Sequence, residues 1–505
     1  MGSTAIADLA QAQRFGTNLL IVEDDTDGDW DKLLHRLALY ESSPCYRPVG
    51  DERARVERLR AHYRDITEVA QQRGVLSYIM CPEVSLPPGF DPVSLDNPHL
   101  WALLGDRLRE VLRALPCLDG FMLYLEEARY SVAELPGSEL SLAKRYARLI
   151  ETAWQACQAE RRKLLVATFI HRPERLAAVA AALRGIPPHR DLSVVQYCCP
   201  NDWGLYELAN PAIGQVGPHP EILAFDYAGE NWGQGAHPFI QVDFMARRLR
   251  ESLACGARVA GLAGYVAWYG RSALGTLNEA NIAAAAALAA DFSRDAGEIL
   301  HAWCEERFGA PAAGVAALTL ARTFEAVFKV QHVFGYWLDT GEKSGLPSLR
   351  ELENYLVEDR YGEALCKWDA RRCPTWEKIL APDRTFLRDV LREKDEAIDL
   401  CRQSLAELRG AGDLFRHGDR QALERAFLFQ ELWARVWREL VRAFILHRIS
   451  IVRGEAAALG ADLDEALRAL EQAAAALEDH FGADVFPRGP ARARAFIRDI
   501  RAELH

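Results

Sequence analysis

The chain has 505 residues, half of them hydrophobic and 26% charged, which is too long for one compact core and ordinary in globular composition. Its 60 basic and 72 acidic side chains leave a formal charge of −12, and this argues against a nucleic-acid binder, which needs a basic face. No apolar run approaches the ~18 residues of a membrane span, and the N-terminal segment shows no basic stretch running into an apolar core and a small-residue cleavage site.

A helix-like segment, Ala5–Arg14, leads into the first expected strand, Leu19–Val22. Further strands are expected at Val75–Met80, Gly120–Leu125, Leu164–Phe169, Leu192–Tyr197, Ile222–Tyr227 and Val259–Ala267. Each is a short apolar run bounded by turn or polar residues, the pattern of strands buried on both faces. Amphipathic stretches such as Asp106–Leu115 and Leu140–Glu160 lie between them, and repeated strand–helix units build a parallel sheet with right-handed crossovers. The expected fold is therefore α/β, a (β/α)8-type TIM barrel over residues 1–290. Seven strands are legible where a closed barrel has eight, so a first strand upstream and an incomplete barrel are both open.

From 291 to 505 helical periodicity takes over, in Gly314–Lys329, Thr385–Arg409, Arg420–Gly454 and Leu463–Glu478. The long segment from Arg420 carries Trp433, Trp437, Leu440 and Phe444 at spacings of three and four, an amphipathic helix for the interior of a bundle. An all-α domain is expected here. A homodimer seam along the same stripe is the alternative. The 11 cysteines are scattered through hydrophobic segments; Cys198-Cys199, Cys366 and Cys373 lack zinc-site spacing, which fits structural thiols in a reducing, cytoplasmic setting. No G-x-G-x-x-G or G-x-x-x-x-G-K follows a strand, so no nucleotide is expected.

Barrel enzymes carry catalytic groups on the loops after their strands. Acids gather there in this sequence: Glu23-Asp24-Asp25-Thr26-Asp27, Pro82-Glu83, Glu126-Glu127, Asn201-Asp202 and Asp226 through Glu230. Trp203, Trp232 and Trp268 stand beside them and offer flat apolar surfaces to the C–H faces of a sugar. Glycosidic cleavage uses two carboxyl groups in different protonation states, one giving a proton and one activating water or attacking carbon. Several acids in one cleft supply both states. A carbohydrate substrate is expected, with no metal and no organic cofactor.

The stretch Asp226-Tyr227-Ala228-Gly229-Glu230-Asn231-Trp232-Gly233-Gln234-Gly235-Ala236-His237 resembles the Q-E-Y-L-G-Q-G-x-H segment of the α-glucuronidases of glycoside hydrolase family 67. Val195-Gln196-Tyr197-Cys198-Cys199-Pro200-Asn201-Asp202 resembles that family's V-Q-x-K-N-G-P-x-D with one residue deleted. Asp119 through Glu127 resembles its G-F-L-V-K-A-x-S-E strand, and Leu277-Asn278-Glu279-Ala280-Asn281 its later helices. The likeness covers about residues 5 to 310 and leaves the family's N-terminal β domain and first barrel strand without counterpart. It implies an inverting hydrolase in which Glu127, or Glu126 beside it, is the acid, while Asp202 and Glu230 activate water. Tyr227 joins the tryptophans as an expected sugar contact, with His237 as a hydrogen-bonding partner.

Where the family binds the uronate carboxylate with cations, this sequence has Tyr124, Ala167 and Cys198. A carboxylate left without its cations is poorly compensated, which points to a different, neutral glycone. Arg129, His171, Arg172 and Arg271, on strand-end loops, offer another positive site. Two readings of other classes stay open: a retaining or substrate-assisted hexosaminidase-like enzyme using the Glu126-Glu127 pair, and a non-catalytic carbohydrate-binding or scaffold protein.

Overall fold

The seven apolar runs form one parallel sheet in a computed structural model of the chain, which describes residues 8–22, 32–125, 128–170, 172–200, 209–268, 271–337, 345–353, 366, 368–483, 485 and 488–504. The strands are β1 Leu19–Val22, β2 Leu76–Pro82, β3 Gly120–Tyr124, β4 Lys163–Ala167, β5 Leu192–Tyr197, β6 Glu221–Phe225 and β7 Val259–Gly264. Each pairs in parallel with the next, in the order β1-β2-β3-β4-β5-β6-β7. Strictly sequential order is the winding of a barrel wall; a doubly wound sheet reverses its order at a switch point. Among the described residues this sheet has no eighth strand.

The chain divides into two compact units, one comprising Met1–Phe225 with Arg247–Gly264, the other Asp226–Ala246 with Tyr265–His505. The first holds the sheet. All five residues of β3 are buried, whereas those of β1 are half-buried, as central and outer strands of such a sheet should be. Helices α1 Lys32–Leu37, α2 Gly50–Gln72, α3 Pro98–Ala114, α4 Leu142–Ala159, α5 Pro173–Gly185 and α6 Val242–Ala254 run between strands. The start of α3 shows how locally these are specified. Asn97 accepts from the His99 N–H, Pro98 sits in the first turn, and Leu100, Leu104, Leu108 and Val111 bury one face, satisfying the helix start and its apolar stripe together. Gly120 opens β3 because a Cβ there would run into the Lys163 carbonyl oxygen of β4.

The second unit holds α7 Glu279–Ala290, α8 Ala296–Phe308, α9 Ala310–Gln331, α10 Leu349–Leu352, α11 Cys373–Leu380, α12 Arg384–Gly410, α13 His417–Arg453, α14 Ala456–Phe481 and α15 Gly489–Leu504. The aromatic stripe of α13 lies inside it: Trp433, Trp437, Leu440 and Phe444 share one buried cluster with Val390 and Ile398 of α12, Leu463 and Leu470 of α14, and Phe496 and Ile500 of α15. The stripe is bundle core within the chain. No described helix is long and apolar enough to cross a membrane.

Several strand ends differ from expectation: β2 runs on to Pro82, while β3 and β4 stop at Tyr124 and Ala167. β6 stops at Phe225 because Asp226 begins a turn, and β7 stops at Gly264, while Ala267–Trp268 pairs antiparallel with Arg271–Ser272. A second short ladder, His332–Val333 with Tyr336–Trp337, interrupts the helical half, where none is legible from the sequence. In chemical denaturation, Leu440→Ala is expected to lower the unfolding free energy by about 2–5 kcal/mol, the cost of a cavity in a filled core.

Candidate active site

Glu126, Glu127, His171, Asp202 and Trp203 lie outside the described residues, as do the acids from Glu23 to Asp27 and the side chain of Trp268. Neighbouring residues in the first unit are described and show what leads into those loops. Glu83, buried after β2, accepts the Val132 N–H at 2.8 Å. It thereby ties down the segment that follows Glu127, and its strand-end carboxylate has a structural task. At the ends of β3, β4 and β5 three rings cluster: Tyr124 stacks on Phe169 at 5.1 Å, and Tyr197 lies 4.9 Å from Phe169 and 6.3 Å from Tyr124. Next to two of them in sequence is a buried polar chain. Thr168 donates to Gln196 at 2.5 Å, Gln196 donates to Glu221 at 3.0 Å, and Glu221 accepts the Gly214 N–H.

Cys198 and Cys199, just past β5, are both buried thiols, with sulfurs 3.7 Å apart. Burial pushes the Cys199 thiol up, but Cys198 and the guanidinium of Arg248, 4.0 Å away, outweigh it and hold the thiol below its ordinary range. Arg248 in turn donates to Glu251 at 2.9 Å. Of the other expected cations, Arg129 is exposed and lies over the Tyr130 ring at 5.4 Å. Arg172, at the cap of α5, is exposed and helps hold the Glu134 carboxyl below its usual range, after Arg175. In the second unit Arg271 is exposed, and partial desolvation lowers its pKa.

The segment from Asp226 to Gln241, in the second unit, is described throughout. Burying so many main-chain groups requires a partner for each, and side chains provide them. The Asp226 carboxylate accepts the Gly229 N–H at 2.9 Å and the Glu230 N–H at 2.6 Å. Gln241 donates to the Asp226 carbonyl. Asn278 and Asn281, at the head of α7, reach back: Asn278 donates to the Ala228 carbonyl at 3.2 Å and accepts the Phe239 N–H at 2.7 Å. Asn281 donates to the carbonyls of Tyr227 and Phe239 and accepts the Gln241 N–H at 2.9 Å. Glycines occupy the positive-φ positions 229, 233 and 235. The result is a rigid turn that presents Glu230 from a buried position, 2% exposed. Beside it Asn231 is fully buried, and neither of its amide atoms has a hydrogen-bond partner among the described residues.

Three residues expected to contact sugar anchor this turn. Trp232 is fully buried, its ring 5.1 Å from His332 and 5.7 Å from Phe239. Tyr227 is buried as well. His237 packs 5.7 Å from Phe429, with Nδ1 3.4 Å from the Gln430 amide and 3.5 Å from the Pro238 carbonyl. Burial pushes its pKa down to about 4, against the pull of that carbonyl, so the ring is neutral near pH 7. Asn278, Asn281, Gln241 and Gln430 were not legible as site residues; the Leu277-Asn278-Glu279-Ala280-Asn281 motif was the signal for two of them.

No family model and no curated protein matches the chain. Solved structures do, and the neighbours are glycoside hydrolases, so the fold is of that kind. The chain is similar to a GH138 enzyme targeting pectin rhamnogalacturonan II, with TM-score 0.61 and 12% identity over 100% of this chain and 79% of that one. Weaker likenesses are to a GH115 4-O-methyl-α-glucuronidase with specificity for decorated arabinogalactans (TM-score 0.45, 12% identity, 95% of this chain and 60% of that one). Another is to a mutant O-GlcNAc hydrolase of Thermobaculum terrenum (TM-score 0.42, 12% identity, 99% of this chain and 91% of that one). At such identity the likeness is one of fold, and fold by itself does not carry function.

Gly233→Ala is expected to destabilise the protein by about 1–3 kcal/mol, read by denaturant melts, because its φ is +102° and a Cβ would meet the His237 ring. His237 makes a second prediction. Its folded pKa, about 4, lies below the ordinary 6.5, so its contribution is complete above pH 6.5 and is lost as pH falls toward 4. The linked loss is about 3 kcal/mol, and the stability slope over that window should be shallower in His237→Asn.

Proposed function

We propose that the protein is an inverting glycoside hydrolase acting on an α-linked glycoside or oligosaccharide, related in chemistry to the α-glucuronidases of family 67. The observation that carries the reading is Glu230: a buried carboxylate held by its own main chain at the first turn after β6, within a motif matching that family's water-activating segment. Carboxylates at strand ends of a glycoside-hydrolase fold suit a single displacement. Glu127, or Glu126, donates a proton to the glycosidic oxygen, and Asp202 with Glu230 orients and deprotonates water. Asn231 supports the reading too, since a buried amide without partners is costly to leave unpaired and suits a hydroxyl-rich ligand or its water. Trp203, Tyr124, His171, Arg172 and Trp268 remain the proposed sugar contacts.

The glycone we favour is neutral. Tyr124 belongs to an aromatic cluster where the family has a cation, and the guanidinium nearest Cys199 is already matched by Glu251. Glu230→Gln and Asp202→Asn should each lower hydrolysis by about 10²–10⁴-fold, the usual worth of a positioned acid or base, with unchanged circular dichroism. Proton NMR of the first-formed product should show the inverted anomer; a retained anomer would favour the hexosaminidase-like chemistry of the Glu126-Glu127 pair. Unchanged activity in both variants removes the hydrolase roles, and a strong preference for α-glucuronosides over neutral α-glycosides removes the neutral-sugar claim.

A further inference from the structure

Far along the sequence from these acids, three helices of the second unit bring an imidazole and two carboxylates together. His447 of α13 is 1% exposed and points Nε2 at Glu503 of α15, 3.0 Å away, and at Glu353, directly after α10, 3.9 Å away. The three donor atoms lie within 4.8 Å of one another. The other ring nitrogen, Nδ1, is buried without a hydrogen-bond partner among the described residues. We propose that His447, Glu353 and Glu503 bind a first-row divalent cation of the zinc class, with water completing its coordination.

The donor chemistry fits. Imidazole and carboxylate suit zinc and its first-row neighbours, and three protein ligands leave a position for solvent. Such an ion holds its donors at about 2.0–2.2 Å, which sets adjacent donors roughly 3–3.6 Å apart. Two of the spacings here, 3.0 and 3.9 Å, approach that range with small side-chain movement. Binding needs a neutral imidazole. The two carboxylates bring negative charge to the cluster, and Arg448 beside Glu353 offsets part of it. The ion would join the exit of α10, the C-terminal part of α13 and the last turn of α15, fastening the C-terminal helix to the bundle. This site does not depend on the hydrolase reading.

The test is titration of the chelator-treated full chain with ZnCl2 by calorimetry, and with CoCl2 by absorption so that binding to the cysteines shows as thiolate charge transfer. One equivalent is expected, with cobalt bands of a nitrogen–oxygen site and a higher Tm in zinc. Glu503→Gln and Glu353→Gln alter partly exposed side chains and should leave the fold intact, while each weakens zinc at least tenfold and removes the Tm rise. The proposal is overturned if no saturable equivalent binds, if cobalt shows thiolate bands alone, or if either variant binds as tightly as the parent.

Discussion

A polar, glycine-rich segment can be buried only if its main chain is satisfied, and the Asp226–Gln241 segment depends on one carboxylate for its start. Asp226 commits both oxygens to backbone N–H groups of its own turn. That turn fixes the position of Glu230, and amides from the head of α7 then take the remaining carbonyls. In an interior of low dielectric each unpaired group would cost on the order of 1–3 kcal/mol, so the members of this network stand or fall together. Trp232, His237 and Phe239 fill the apolar space around it. The precision of a buried Glu230 follows from these contacts rather than from local helix or strand preference.

That division explains how much was legible in the sequence. The seven strands were, because an apolar run bounded by turn residues is a local signal, and four starts fell on the observed residue, in β1, β3, β5 and β7. Strand ends were not, because they are decided by side chains reaching from elsewhere. Tyr227 reads as strand until Asp226 is seen capping the turn before it. Acids at strand ends look alike in a sequence, yet Glu83 and Asp226 hold loops while Glu230 is held by one. Trp232 shows the same limit, since a tryptophan beside an acid gives no sign of the His332 and Phe239 rings that cover it. The helical half was legible through the α13 stripe, whose partners on α12, α14 and α15 only the fold supplies.

Electrostatics narrows the roles further. The net charge of −12 is spread over the whole chain and says nothing of a site; local partners decide. Arg248 beside Cys199 is matched by Glu251, and Arg172 lies near Glu134. These cations are thus engaged with acids of the protein, whereas the ends of β3, β4 and β5 present rings. On the proposed reading, these rings and engaged arginines suit a ligand recognised by C–H surfaces and hydroxyl groups better than one recognised by its charge.

His237 sharpens the proposed chemistry by what it is unable to do. With its pKa pushed to about 4 by burial, the imidazolium is scarcely populated at neutral pH, so the ring has no proton to give a leaving group there. Its place between Gly233 and Phe429 is that of a neutral spacer. In the proposed hydrolysis the proton donor is then a carboxyl group, the kind of group whose pKa a cluster of acids raises. In the proposed reaction Glu127 or Glu126 is the acid and Asp202 with Glu230 the base, which leaves His237 no part in the proton transfer.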